Sequence, residues 1–383
     1  MQIALNAFRP KLRSRAERLT LGAKLRSRAH KENGFDTIRL IAAALVLVSH
    51  SFPIATGSNA KEPLMLLTGG QATLGDLSVG IFFFISGLLI SNSFDASRNL
   101  GSFVRKRVLR IMPALIVVCA LIVCVLGPLF TRLPPGTYFA GAWRFMGNAV
   151  FLPSDFSLPG VFQDHPMAAV DGSLWSLKFE VACYAGTALL LAVATTRTAL
   201  AIFVWIASFF VSRALNGGSG ESGLFFYIGT MASLYRFFGA GVVCYVLRDR
   251  IVLRKDWAWI AAAVAIAAVL TPFFLDAAAI FACYALLVFA YACPAWFRNV
   301  TAKGDISYGT YVYAFPIQQM SLGVVGASPW LMTAMAMPLT FVAALSSWLL
   351  VEKPALRRKK VAAPKPDRAP PINAEARADA AQW

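Results

Sequence analysis

Apolar positions in this chain come in blocks of about twenty residues, set apart by short polar breaks that carry Pro, Gly or clustered charge. The blocks run over 38–54, 77–94, 109–130, 174–194, 199–214, 224–247, 257–274, 277–294, 306–324 and 329–350. A helix needs about 20 predominantly apolar residues to cross the hydrocarbon core of a bilayer. The pattern therefore predicts an all-α, polytopic integral membrane protein with about ten transmembrane helices. Within 257–294, Pro272 and Asp276 mark either a tight outer turn or a break inside one long hairpin. No internal repeat of the transporter type is visible.

Composition points the same way. Of 383 residues 58% are hydrophobic and 14% charged, whereas soluble domains average about 25% charged; the mean hydropathy is +0.62. The formal charge of +17 would suit a nucleic-acid binder, but its distribution argues for topology instead. With both termini placed on the cytoplasmic side, the inner segments hold 29 Lys and Arg and the outer segments four, namely Lys61, Arg132, Arg144 and Arg213. Residues 1–34 read as an uncleaved, flexible basic arm, 35–356 as the membrane domain, and 357–383 as a disordered, basic, Ala- and Pro-rich tail. Both basic ends suit contact with anionic membrane lipids, and no nucleic-acid motif accompanies them. One outer loop, 131–173, is long and carries five prolines, as an ordered lid or acceptor-binding loop would. The six cysteines lie in apolar stretches and read as buried thiols rather than a disulfide frame, and the three histidines show no metal-ligand spacing.

Ionisable residues inside such spans are costly and are functional by default. Arg39 and His50 are eleven residues apart, hence on one helix face with a rise of about 16 Å between them. Burial keeps the imidazole neutral and able to accept a proton; the bland alternative is a snorkelling arginine and a histidine bonded to a loop carbonyl. Asp36, one turn before Arg39, is placed to pair with it. Gly80 and Gly87 flank Ser86 in the second span, a pattern that also serves close helix packing. Arg107 and Arg110 are i, i+3 neighbours at a cytoplasmic helix entry. Their forks suit phosphate oxygens such as those of coenzyme A, and plain topology signalling is the competing account. Ser173, Ser176, Glu180 and Tyr184 make one polar stripe on the fourth span, beginning beside Trp175. Glu180 needs a partner from another helix, for which Arg39, His50 and Arg236 are candidates. Ser307, Tyr311 and Gln318 form a weaker stripe near Pro316.

Taken in order, Phe35-Asp36-x-x-Arg39 with His50, Gly80-x-Phe-Phe-Phe-x-Ser86-Gly87, Arg107-x-x-Arg110 with Pro113, Ser173-Leu-Trp175-Ser176-Leu-x-x-Glu180, Ser307-Tyr308-Gly309-x-Tyr311 with Phe315-Pro316, and Glu352-Lys353-Pro354 resemble the acyltransferase-3 family of bacterial inner-membrane O-acyltransferases. The resemblance implies about ten membrane helices, a cytoplasmic acyl-CoA donor, usually acetyl-CoA, and acceptors among exopolysaccharide, lipopolysaccharide or related glycans; the absence of metal-ligand spacing adds the expectation that no metal is used. It makes His50 the catalytic histidine, Arg39 its motif partner and Arg107 and Arg110 the donor-side arginines. This chain departs from the pattern at Ala314, where many members carry a histidine, so no catalytic acid or base is assigned to the ninth span.

The expectation is acyl transfer to a carbohydrate hydroxyl, with His50 as base or acyl carrier beside Arg39. Glu180, Ser176 and Tyr184 orient the imidazole or bind the sugar, with Asp36, Ser86, Ser173, Trp175 and Tyr311 as further substrate contacts. The partners expected are acyl-CoA, a glycan or lipid-linked sugar, membrane lipids and polysaccharide-assembly proteins. A polytopic exporter of glycan or lipid without chemistry is the main alternative, and a structural or sensory membrane protein the third.

Overall fold

The computed structural model describes residues 20–27, 32–97, 99–151, 155–193, 196–216 and 223–357. Most of the basic arm and nearly all of the C-terminal tail lie outside the described residues. Among the described residues ten longer helical rods follow one another: α1 (Phe35–Thr56), α2 (Leu74–Asp95), α3 (Leu100–Phe130), α4 (Leu177–Val193), α5 (Arg197–Asn216), α6 (Leu224–Val246), α7 (Lys255–Ala267), α8 (Phe274–Ala292), α9 (Ser307–Val325) and α10 (Pro329–Arg357). Among the described residues there is no strand, only an isolated bridge from Thr20 to Val252.

Seven of the rods are long and apolar enough to cross a membrane; α6, α7 and α9 fall short in length or hydropathy. The outward surface explains the composition. Leu129, Phe210, Trp259, Leu270 and Leu350 are each at least 70% exposed, a surface that hydrocarbon solvates and water does not. The ambiguous 257–294 region resolves as two rods, because residues 271–273 turn the chain between α7 and α8.

Local chemistry sets the helix starts. Thr73 and Asp76 form a reciprocal capping box at α2, and Asn99 caps α3 through Ser102 N at 2.8 Å. Asp171 opens a 3₁₀ turn over Gly172–Ser176 that leads into α4, its Oδ1 accepting from Ser173 N at 3.0 Å and Ser173 Oγ at 2.6 Å. The loop 131–173 is built rather than loose: it contains helical turns over Pro135–Ala142 and Trp143–Val150. Tyr138 is fully buried and donates to the Val123 carbonyl at 2.7 Å. His165 Nδ1 donates to Gln319 Oε1 at 2.8 Å, and Gln319 Nε2 donates to the carbonyls of Met167 and Ala169, which ties the loop to α9.

Within the basic arm, Leu21–Arg26 is a short helix docked on the α6–α7 junction. Leu21 N and Gly22 N donate to the carbonyls of Ile251 and Arg248, and Arg26 pairs with Asp249. Four cysteines are buried and Cys244 is half-buried, but Cys124 is exposed on the apolar outer face of α3, where lipid-facing positions need not be covered by protein.

At the centre α1 packs on α2, α9 and α10, and α6 packs closely on α2. A Cβ on Gly87 would lie 2.1 Å from the Phe238 carbonyl oxygen, and one on Gly241 would lie 2.2 Å from that of Phe84. Two backbones thus meet where neither tolerates a side chain. Gly87→Ala is expected to destabilise by about 1–3 kcal/mol, while Gly323→Ala, in open space on α9, is expected to be neutral or to stabilise by up to about 1 kcal/mol. Thermal unfolding of the two variants in detergent checks the contrast.

Candidate functional site

The strongest polar cluster sits at the end of the bundle where α1 and α9 begin and where α3 carries its arginines. Asp305, two residues before α9, accepts on Oδ1 from Ser307 N at 3.1 Å and Ser307 Oγ at 2.5 Å. Its Oδ2 lies 2.6 Å from Arg110 Nη2 and 3.8 Å from Arg39 Nη1. Arg39 also donates to Asp36 at 3.1 Å, and Asp36 is otherwise half exposed. Burial alone would raise the Asp305 carboxyl, but Arg110 and Arg39 outweigh it and hold it below the ordinary aspartate range.

Behind this cluster a small cavity of about 70 Å³ opens among α1, α2, α3, α4 and α9. Arg39, Arg107, Arg110, Glu180, Tyr184 and Ser86 line it. Glu180 Oε1 accepts from Ser86 Oγ at 2.6 Å and from Tyr184 Oη at 2.5 Å. Glu180 forms no ion pair among the described residues: its partners are two hydroxyls, and Arg236 pairs with Asp276 instead. Arg107 Nη2 reaches Ser93 Oγ at 3.4 Å, while its buried Nε has no hydrogen-bond partner among the described residues. On the next wall Tyr311 Oη donates to the Ser173 carbonyl at 2.7 Å. A phenol has one proton to give, so the 2.8 Å contact with Ser176 is a bond donated by Ser176 Oγ.

His50 does not line this cavity. Its ring meets Phe315 edge to face at 5.3 Å between centroids, and its buried Nδ1 has no hydrogen-bond partner among the described residues. Arg39 and His50 share a helix, but a rise of about 16 Å exceeds what a cavity of this size spans. The layers between them are continuous all the same. Tyr311 is one turn before Phe315 on α9, and the Phe315 ring also covers Gly172 at the start of the turn that carries Ser173 and Ser176. Gln318, one turn further, donates to the Leu47 carbonyl and Ser51 Oγ, both at 2.7 Å, which ties α9 to the stretch of α1 that carries His50.

Trp175 faces away from the cavity into a second, outer cleft. The structure thus brings Arg39, Asp36, Arg107, Arg110, Ser86, Glu180, Tyr184, Ser176, Ser173 and Tyr311 into one contiguous polar region, with His50 above it and Trp175 on its far wall. Sequence reasoning passed over Asp305. The signal was an isolated acid two residues before a helix, in a segment otherwise basic.

Comparison with known proteins gives a consistent result. A family model described as an acyltransferase domain (Acyl_transf_3) matches residues 32–351. An O-acetyl transferase of Shigella phage Sf6 is 31% identical over 344 residues, covering 86% of this chain and 97% of that protein. Nodulation protein 10 of Rhizobium leguminosarum bv. viciae is 26% identical over 359 residues, covering 86% of this chain and 95% of its own length. No solved structure matches.

Two outcomes follow from the electrostatics. Asp305→Ala leaves two guanidiniums without their shared carboxylate and is expected to cost about 3–5 kcal/mol, with Asp305→Asn intermediate, read as thermal stability in detergent. Burial pushes the Asp171 carboxyl up to about 7 from an ordinary 3.8, against the bonds from Ser173. Between those values the folded state holds the proton and the unfolded chain has released it. Stability therefore falls as pH rises from about 4 to about 7, by at most about 1.4 kcal/mol per pH unit. Asp171→Asn should flatten that slope in unfolding measurements across pH.

Proposed function

This chain belongs to the acyltransferase-3 family, and on that premise we propose that it moves an acyl group, acetyl in the first instance, from cytoplasmic acyl-CoA to a hydroxyl of a surface polysaccharide or lipid-linked glycan. It is an O-acetyltransferase-type enzyme by that membership. In this reading α6, α7 and α9 cross the bacterial inner membrane with the other seven rods, which makes ten spans and puts both termini in the cytoplasm. The 29-to-4 split of basic residues supports that orientation.

The observation that carries the reading is the cavity itself: three arginines and one carboxylate at the basic end of an otherwise apolar bundle. Arg107, with a guanidinium nitrogen still to be bonded, and Arg110 receive the phosphates of the donor. Asp305 and Asp36 hold Arg39 in place beside them. The thin thioester arm runs from the cavity past Ser176 and Tyr311 toward His50. There the neutral imidazole takes the proton of the acceptor hydroxyl as its oxygen attacks the thioester carbonyl. The C–S bond breaks, the ester C–O bond forms, and the imidazolium returns its proton to the departing thiolate. In the carrier variant of the same scheme the acyl group rests on His50 before the acceptor takes it.

His50→Ala is expected to abolish O-acyl signals in proton NMR of surface glycans, with membrane protein level unchanged; retained wild-type product removes His50 from the mechanism. Arg107→Ala is expected to raise the KM for acetyl-CoA by tenfold or more. With labelled acetyl-CoA and no acceptor present, label carried on the rapidly quenched protein and lost in His50→Ala marks the carrier route, and unlabelled protein the base route.

A further inference from the structure

At the other end of the bundle, above the cavity, lies a cleft of about 520 Å³ between α2, the 172–176 turn, α5, α6, the α7–α8 turn and the start of α8, within the size range of small-molecule sites. Its wall contains an ion cluster drawn from three elements. Arg236 of α6, itself buried, pairs with Asp276 Oδ1. Arg213 of α5 donates from Nε at 2.9 Å and Nη2 at 2.5 Å to Asp276 Oδ2, and from Nη2 to the Pro272 carbonyl at 3.1 Å. Asp76, Gln71, Thr230 and Trp175 complete the lining.

The cleft and the cavity are neighbours through one thin wall. Val79 lines both, and on the 172–176 turn Trp175 faces the cleft while Ser176 faces the cavity. The lining chemistry selects among ligands. A phosphate site presents donors alone, whereas this one carries two carboxylates that repel an anion, together with guanidinium and amide donors. A sugar hydroxyl both donates and accepts, and an aromatic face beside such a mixed set matches the apolar face of a pyranose ring.

We propose that this cleft is the subsite for an uncharged sugar ring of the acceptor, held by Arg213, Asp76 and Trp175 on the opposite side of the Val79 wall from the donor. The inference rests on the acyl-transfer reading above and adds to it where the acceptor sits. Arg236 and Asp276 anchor the site from within the bundle, and Arg213 and Asp76 present the groups that meet the sugar.

The test uses the full-length protein in its own membrane, with surface-glycan O-acylation followed by proton NMR and acetyl-CoA binding measured on the purified protein. Thr230→Trp fills the cleft, and Asp76→Asn keeps an acceptor for the Thr73 cap while changing the charge. Thr230→Trp should lower glycan O-acylation at least tenfold and Asp76→Asn severalfold, with acetyl-CoA affinity within twofold of wild type. O-acylation within twofold of wild type in both variants overturns the proposal, and so does a parallel loss of O-acylation and acetyl-CoA binding, which marks damage to the fold. If wild-type protein binds no acetyl-CoA and its removal leaves glycan O-acyl signals unchanged, the acyl-transfer reading falls and takes this inference with it.

Discussion

Two guanidiniums from separate helices converge on one carboxylate at the basic end of this bundle, and the placement of nearly every other polar group there follows from that contact. Arg39 on α1 and Arg110 on α3 both face Asp305, which is anchored by Ser307 at the start of α9. A buried charge left unpaired in such surroundings costs several kcal/mol, so the three helix ends are held in one register. That register brings Arg107, three residues before Arg110, to the cavity wall opposite Glu180.

The cavity is small and mixed in character: Arg39, Arg107, Arg110 and Glu180 share its lining with Val79, Phe82, Phe83 and Ile111, and its polar groups are held by short side-chain bonds. Glu180 is satisfied by Ser86 and Tyr184, Tyr311 by Ser173 and Ser176. His50 belongs to the next layer, against Phe315 and near the Gln318–Ser51 contact. Polar groups in this bundle are therefore arranged as a column along α1, α4 and α9, with arginines at one end, hydroxyls in the middle and imidazole beyond.

Around the column, packing is set by shape. The α2–α6 contact at Gly87 and Gly241 lets two backbones touch, and without a hydrophobic drive between helices in lipid such close contact is what associates them. The same contact seats α6 so that Arg236 pairs with Asp276 in the wall of the cleft behind Trp175. The motif glycine at 87 thus has a packing role that accounts for it fully.

Block length, the lopsided placement of lysine and arginine, and the ordered motifs were enough on their own for an all-helical membrane bundle of this family, because hydrophobic span and topology charge are properties of local sequence. Helical spacing also put Ser173, Ser176, Glu180 and Tyr184 on one stripe and Asp36 within reach of Arg39. What the chain order does not encode is which stripe faces which. The pairing of Asp305 with Arg39 and Arg110 spans separations of 266 and 195 residues, and the partner that Glu180 finds on another helix is the Ser86 hydroxyl rather than Arg39, His50 or Arg236. The separation of His50 from the cavity, and the cleft behind Trp175, likewise follow only from how helices cross. Periodicity fixes the face of one helix; the neighbour that face meets is decided by packing in three dimensions.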